Sequence, residues 1–254
     1  MKERAALAPF LDDPGHAAVV VDFDGTLSPI VDDPASARPA TGAAEALVAL
    51  VGRLGLVAVM SGRPTDFLRT VVPPEVVLSG LYGLEVVRDG ERTDHPAAGA
   101  WRQVVADVAR SSVDHGPDGM DVEPKGISIT LHYRRHPEAA EAVGAWAVEQ
   151  AARSGLEVRA AKMSVELHPP IEADKGTALE ALADGLAAVC FVGDDRGDLP
   201  AFDALDRLES RGVHALRVAV AGDETPAELV GRADVVLDGP AAVVGFLRAL
   251  LPGG

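Results

Sequence analysis

Two aspartates, one residue apart, close an apolar run in Val19-Val20-Val21-Asp22-Phe23-Asp24-Gly25-Thr26. In an extended strand, side chains two apart share a face, so Asp22 and Asp24 crowd together while Phe23 points away. Gly25 then lets the chain turn sharply. Crowded carboxylates repel, and each holds its proton more tightly unless a cation intervenes. A hard divalent cation with oxygen ligands resolves that conflict, and Mg²⁺ is the usual choice where a phosphate also arrives. Three further polar clusters carry residue types suited to phosphoryl chemistry: Ser61-Gly62-Arg63, Lys175, and Gly193-Asp194-Asp195-Arg196-Gly197-Asp198. A metal needs carboxylates from separated parts of the chain, which Asp22 and the 194–198 cluster supply. A transferring phosphoryl group needs donors to its oxygens, which the Ser61 hydroxyl, the backbone N–H groups around Gly62 and the Lys175 ammonium supply.

The elements that must position these groups follow from the apolar pattern. Ala17 to Val21 and Ala188 to Val192 are apolar on both faces, as buried parallel strands are. Leu56 to Met60, Val76 to Leu78, His214 to Ala221 and Ala233 to Leu237 read as further strands. Helices are expected over Lys2–Leu11, from Thr41 as N-cap through Leu54, from Arg63-Pro64 to just before Pro73, over Lys175–Leu186 and Pro200–Ser210, after the Thr225-Pro226 cap, and over Pro240–Leu251. Leu27 to Pro39, with three prolines, reads as an irregular flap. Asp89-Gly90 reads as a hairpin turn. Strand and helix in alternation specify a doubly wound parallel α/β sheet, which binds ligands at the carboxyl ends of its strands. Each polar cluster falls at such an end.

The grammar changes in between. Ala97–Ser111 and Pro137–Ser154 read as helices, each followed by two short strands: Met120–Glu123 with Ile127–Tyr133, then Leu156–Ala160 with Met163–Leu167. Helix, two strands, helix, two strands is an antiparallel α+β unit. The expected division is therefore a catalytic core of residues 1–94 and 170–254, with an inserted α+β domain at 95–169.

Composition narrows the partners. A net charge of −16 argues against general binding to nucleic-acid backbones or anionic membranes. Cys190 is the one cysteine, and its apolar surroundings read as a core thiol; no disulfide framework or cysteine metal site can form. Met1-Lys2-Glu3-Arg4 mixes charges and no long apolar segment follows, so neither a signal peptide nor a membrane span is expected, and a cytoplasmic setting fits. Oligomeric state is not legible, with a monomer as the expectation.

The four clusters Asp22-Phe23-Asp24-Gly25-Thr26, Ser61-Gly62-Arg63, Asp174-Lys175-Gly176 and Gly193-Asp194-Asp195…Asp198 resemble the signatures of haloacid-dehalogenase (HAD)-type phosphatases. The inserted unit resembles the large cap of one branch of them. Gly80-Leu81-Tyr82-Gly83-Leu84-Glu85, Glu123-Pro124-Lys125-Gly126…Leu131-His132-Tyr133-Arg134 and Val165-Glu166-Leu167-His168-Pro169 resemble the trehalose-6-phosphate phosphatase family. Two positions depart from it: Tyr82 stands where many members carry His, and Arg196-Gly197 follows Asp195. The resemblance implies a Mg²⁺-dependent sugar-phosphate phosphatase. Asp22 would be the nucleophile and a metal ligand. Asp24 would be the general acid, touching metal through its backbone carbonyl and keeping its carboxyl free. Asp194 is chosen as the third metal carboxylate, with Asp195 and Asp198 supporting the loop or acting through water. Ser61, Gly62 and Lys175 would hold phosphate. Arg63 stays open between phosphate-side support and a surface ion pair, the second being the expectation. Glu123, Lys125 and Glu166 would bind the distal sugar of a phosphorylated disaccharide, with His132 and Arg134 as further candidates. The other readings are a sucrose-phosphate or mannosyl-phosphoglycerate phosphatase, and a catalytically silent sugar-phosphate sensor.

Overall fold

The computed structural model describes residues 2–161, 163–222 and 225–252. In chain order, the strands of the first part are β1 (Ala17–Asp22), β2 (Leu56–Met60), β3 (Val77–Gly80), β4 (Glu85–Arg88) and β5 (Glu91–Asp94). The next four are β6 (Asp121–Pro124), β7 (Ile129–His132), β8 (Glu157–Ala161) and β9 (Ser164–His168). The last three are β10 (Ala188–Gly193), β11 (His214–Ala221) and β12 (Val235–Asp238). The helices are α1 (Lys2–Asp12), α2 (Ala43–Val51), α3 (Thr65–Leu68), α4 (Arg102–His115), α5 (Ala140–Ser154), α6 (Lys175–Leu182), α7 (Leu199–Ser210), α8 (Ala227–Arg232) and α9 (Gly239–Ala249). The chain divides into two compact units, Met1–Thr93 with Ala173–Gly254, and Asp94–Glu172.

The first unit holds an eight-stranded sheet in the order β12-β11-β10-β1-β2-β3-β4-β5. Its pairings from β12 to β3 are parallel and β4 returns antiparallel to β3. The chain runs outward from β1 through β2 and β3, then re-enters on the other side of β1 at β10. The β1–β10 boundary is therefore the switch point. The strands bury both faces because both alternating sets are apolar. Val19, Val21, Val57, Val59, Cys190 and Val192 pack with Phe10, Leu47, Val243 and Leu247 on one face. Ala18, Val20, Ala58, Met60 and Phe191 pack with Leu179, Phe202, Leu205 and Leu229 on the other.

The second unit is a four-stranded antiparallel sheet in the order β6-β7-β9-β8. Ile129, Leu131 and Leu167 pack with Val105 and Val108 of α4 and Val143 and Ala147 of α5. One sheet face thus carries the helices. Trp101 and Trp146 are half-buried and pack against that cluster.

Several local expectations change. Thr41 does not cap α2; Gly42 does, in the left-handed conformation at φ +85°. Thr225 does not cap α8, because its hydroxyl donates to the Val220 carbonyl (2.9 Å) and Pro226 takes the N-cap position. The helix after Ser61 is one turn, Thr65–Leu68. Asp89 and Gly90 form the expected hairpin turn, both at positive φ.

Candidate active site

Asp22 ends β1, and Asp194 directly follows β10, so the switch point brings together carboxylates that are far apart in sequence. Lys175 opens α6. Its neighbour Asp174 is the N-cap, accepting from the Thr177 amide (2.8 Å). That cap fixes the first turn and aims the Lys175 stem inward. Lys175 Nζ lies 2.7 Å from Asp22 Oδ1 and 2.6 Å from Asp198 Oδ1, and all three side chains are buried. Asp198 also accepts the amides of Asp194 (2.8 Å) and Asp195 (3.0 Å) on Oδ2. It therefore shapes the loop that presents Asp194. Asp195 is exposed. Thr26 donates to Asp194 Oδ1 (2.7 Å), which ties the loop after β1 to the loop after β10.

The electrostatics of this cluster follow from burial. Burial pushes the Asp22 carboxyl well above the usual carboxylate range, more than the Lys175 ammonium pulls it down. Burial likewise raises Asp198, and raises Asp194 to about 7 against the Thr26 hydrogen bond. Burial opposes the Lys175 charge, but Asp198 and Asp22 outweigh it and hold the ammonium above the ordinary lysine range. Three carboxylates therefore share one ammonium.

That donor set fits a hard divalent cation. Asp22, Asp194 and Asp198 each present an oxygen within 4.8 Å of the others. Both Asp198 oxygens are already engaged by Lys175 and the loop amides, which leaves Asp22 and Asp194 as the pair able to ligate. Gly25, at φ +82°, completes the cradle, since a Cβ there would sit 2.1 Å from Asp194 Oδ2.

Asp24 and Arg63 differ from expectation. The Asp24 carboxyl is not free. Arg63 grips it with both arms, Nε to Oδ2 at 2.6 Å and Nη2 to Oδ1 at 2.7 Å. Nor is Arg63 a loose surface pair. Its guanidinium stacks 4.2 Å from the Phe67 ring centre and donates to the Pro34 carbonyl (2.7 Å). A planar fork clamped on a ring is pre-organised for such a bidentate contact. While the fork is closed, both Asp24 oxygens are occupied as acceptors.

Ser61 is buried just beyond β2, and its hydroxyl oxygen accepts from the Arg63 amide (3.1 Å). That leaves the hydroxyl proton to point elsewhere. The Ser61–Arg63 loop is pinned by the turn after β3: Ser61 N donates to Ser79 O (2.9 Å), Leu81 N to Arg63 O (3.0 Å) and Tyr82 N to Ser61 O (3.2 Å). Leu81 and Tyr82 are both left-handed, at φ +49° and +59°, a conformation costing about 1–3 kcal/mol each for such residues. The Tyr82 ring lies over Gly62, where a Cβ would come within 2.6 Å of its hydroxyl. Glu85 of the same signature is structural: its buried carboxylate accepts from Thr65 N (2.9 Å) and Oγ1 (2.8 Å) and pairs with Arg92.

In the second unit, register sets Glu123 opposite Thr130 and Thr130 opposite Glu166. Glu123 and Glu166 thus share the sheet face that carries no helices. Glu166 is buried and accepts from Ser128 Oγ (2.6 Å); Glu123 meets His132 Nε2 (2.8 Å). Lys125 sits in the β6–β7 hairpin, its amide donating to Ser128 O (2.9 Å). Thr26, Arg63 and Tyr82 are the contributors that residue types alone did not assign. Thr26 stood inside the first motif; the partners of the other two lie far off in sequence.

A doubly wound sheet with an aspartate pair, a buried lysine and an acidic loop at its switch point is the HAD class of fold. The model of the trehalose-phosphatase family matches residues 20–230, and the chain belongs to that family. The trehalose-phosphate phosphatase of Mycobacterium avium is 37% identical over 250 residues, covering 92% of this chain and 62% of that protein. The chain thus spans about three-fifths of that relative's length. The trehalose-6-phosphate phosphatase of Aspergillus fumigatus superposes at a TM-score of 0.65 and 27% identity, covering 97% of this chain and 96% of that one. The C-terminal domain of the C. albicans trehalose-6-phosphate phosphatase superposes at 0.75 and 23% identity, covering 98% and 96%. Among the described residues, no helix is long and apolar enough to cross a membrane.

Proposed function

We propose that this chain hydrolyses trehalose 6-phosphate to trehalose and phosphate through a phosphoryl-aspartate on Asp22. The observation that carries this reading is the buried Lys175 ammonium bridging Asp22 and Asp198 at the switch point, with Asp194 alongside. A carboxylate held there suits in-line attack on phosphorus, splitting one hard hydrolysis into two transfers. Lys175 offsets charge on the phosphoryl oxygens, and the Ser61 hydroxyl with the amides at Gly62 donates to them. Asp24, released from Arg63, protonates the departing sugar oxygen and later takes a proton from the attacking water.

Asp22, Asp194 and the Asp24 main-chain carbonyl would hold Mg²⁺, which supplies Lewis-acid polarisation of the phosphoryl group. The second unit is assigned the sugar: Glu123, Lys125 and Glu166 would bind the distal glucose. Its polar sheet face supports this, since buried polar groups reject substrates that lack the matching hydroxyl. The disaccharide itself rests on the family membership.

The test is phosphate release by the purified chain across a panel of sugar phosphates. Trehalose 6-phosphate should be turned over far faster than glucose 6-phosphate or sucrose 6-phosphate, and EDTA should abolish release. Equal rates across the panel would sink the disaccharide assignment.

A further inference from the structure

The second unit's sheet has one face given to helices and one that carries mostly polar residues. Three rows cross the polar face. The middle row reads Glu123, Thr130, Glu166, Arg159, from β6 through β7 and β9 to β8. Directly opposed residues in such rows have their Cβ atoms about 5 Å apart. Thr130 therefore stands between the two carboxylates assigned to the sugar.

Thr130 is only 3% exposed, and its hydroxyl has no hydrogen-bond partner among the described residues. Its polar neighbours are engaged: Ser128 Oγ donates to Glu166, and His132 meets Glu123. A second orphan lies on the same face. His168, two residues beyond Glu166, is fully buried, and its Nδ1 donates to the Pro169 carbonyl (2.6 Å). That contact makes the neutral ring's Nε2 an acceptor, and Nε2 is also buried without a partner. Buried polar side chains are almost always paired. A valine would fill the Thr130 site with the same shape and leave nothing unpaired, so packing alone does not account for the hydroxyl.

We propose that Thr130 is a specificity-determining residue whose hydroxyl meets a sugar hydroxyl between Glu123 and Glu166. This rests on the reading that the second unit binds the sugar. Nothing in the local sequence marks Thr130 apart from any strand threonine.

The experiment compares wild type, Thr130→Val and Thr130→Ser. Each is assayed on trehalose 6-phosphate and on p-nitrophenyl phosphate, with thermal unfolding followed in parallel. Thr130→Val should raise KM for the disaccharide phosphate by about tenfold or more. Its turnover of the aryl phosphate should stay within about twofold of wild type, and its heat stability should be equal or higher, since an unpaired buried hydroxyl is gone. Thr130→Ser keeps the hydroxyl and should keep KM near wild type. An unchanged KM in Thr130→Val, or an equal loss on both substrates, overturns the proposal. So does a Thr130→Ser defect as large as that of Thr130→Val, because the methyl would then be what matters. Failure of the underlying reading shows separately, as a wild type that does not prefer the disaccharide phosphate over glucose 6-phosphate, and it takes this proposal with it.

Discussion

Replacing Lys175 with Met keeps the aliphatic stem and removes the one ammonium among three carboxylates. Its contacts to Asp22 and Asp198, at 2.7 and 2.6 Å, are each worth on the order of 6 kcal/mol of attraction at an effective dielectric near 20, before the cost of burial. After that cost, removing one partner of a buried pair typically destabilises by about 3–5 kcal/mol. The loss should depend on pH in a defined direction. Burial holds Asp22 and Asp198 above the usual carboxylate range, so the folded state binds more protons than the unfolded one. Stability from such groups is greatest on the acid side and falls as pH rises through their folded values. Without Lys175 that fall steepens. Urea unfolding in EDTA should therefore show a Lys175→Met deficit that grows as pH rises, reaching about 3–5 kcal/mol on the alkaline side. Phosphate release with Mg²⁺ present should drop about 10²–10³-fold, the usual cost of one fixed donor to a transition-state oxygen. A variant as stable as wild type at pH 8, or one within a few-fold of its activity, would refute the reasoning.

Three further outcomes follow from the same site. Asp24→Asn should lose about 10²–10⁴-fold in first-turnover release of the sugar, yet far less in the first-turnover burst of p-nitrophenol from p-nitrophenyl phosphate, whose leaving group needs no proton; equal losses in that step would contradict the acid role. Gly25→Ala puts a Cβ 2.1 Å from Asp194 Oδ2 and forces alanine to φ +82°, so half-maximal activity should need about tenfold more Mg²⁺; an unchanged requirement would remove Asp194 from the cation's ligands. Because Asp194 is raised to about 7, Mg²⁺ binding should release protons near pH 6 and tighten as pH rises to about 7. Calorimetry in buffers of different ionisation enthalpy measures this, and no proton release at pH 6 would count against it.

The parts legible in sequence were those fixed by local pattern. β1 and β10 were clear because apolar residues on both faces admit little but a buried parallel strand, and their ends carried the carboxylates. The antiparallel unit was clear because helix and strand periods alternate in a different order. What escaped was set by tertiary pairing. Thr41 and Thr225 have good capping chemistry, yet Gly42 turns left-handed and Thr225 finds the Val220 carbonyl instead. Arg63 looked like a surface charge because Asp24, its partner, lies 39 residues away. Thr26 meets Asp194 across 168 residues. Asp198 shows the reverse: its acidity suggested a ligand or a loop support, and only the hydrogen bonds to Lys175 and two amides distinguish them.

The central claim is that Asp22 carries the phosphoryl group, and acid-quenched turnover measures it directly. Wild-type protein mixed with excess trehalose 6-phosphate and Mg²⁺, quenched within the first turnover and digested, should yield the peptide containing Asp22 with one added phosphoryl mass. Hydroxylamine should remove that mass, as expected of an acyl phosphate, and Asp22→Asn should never acquire it. Steady turnover with no adduct on Asp22, or normal turnover by Asp22→Asn, would contradict the account.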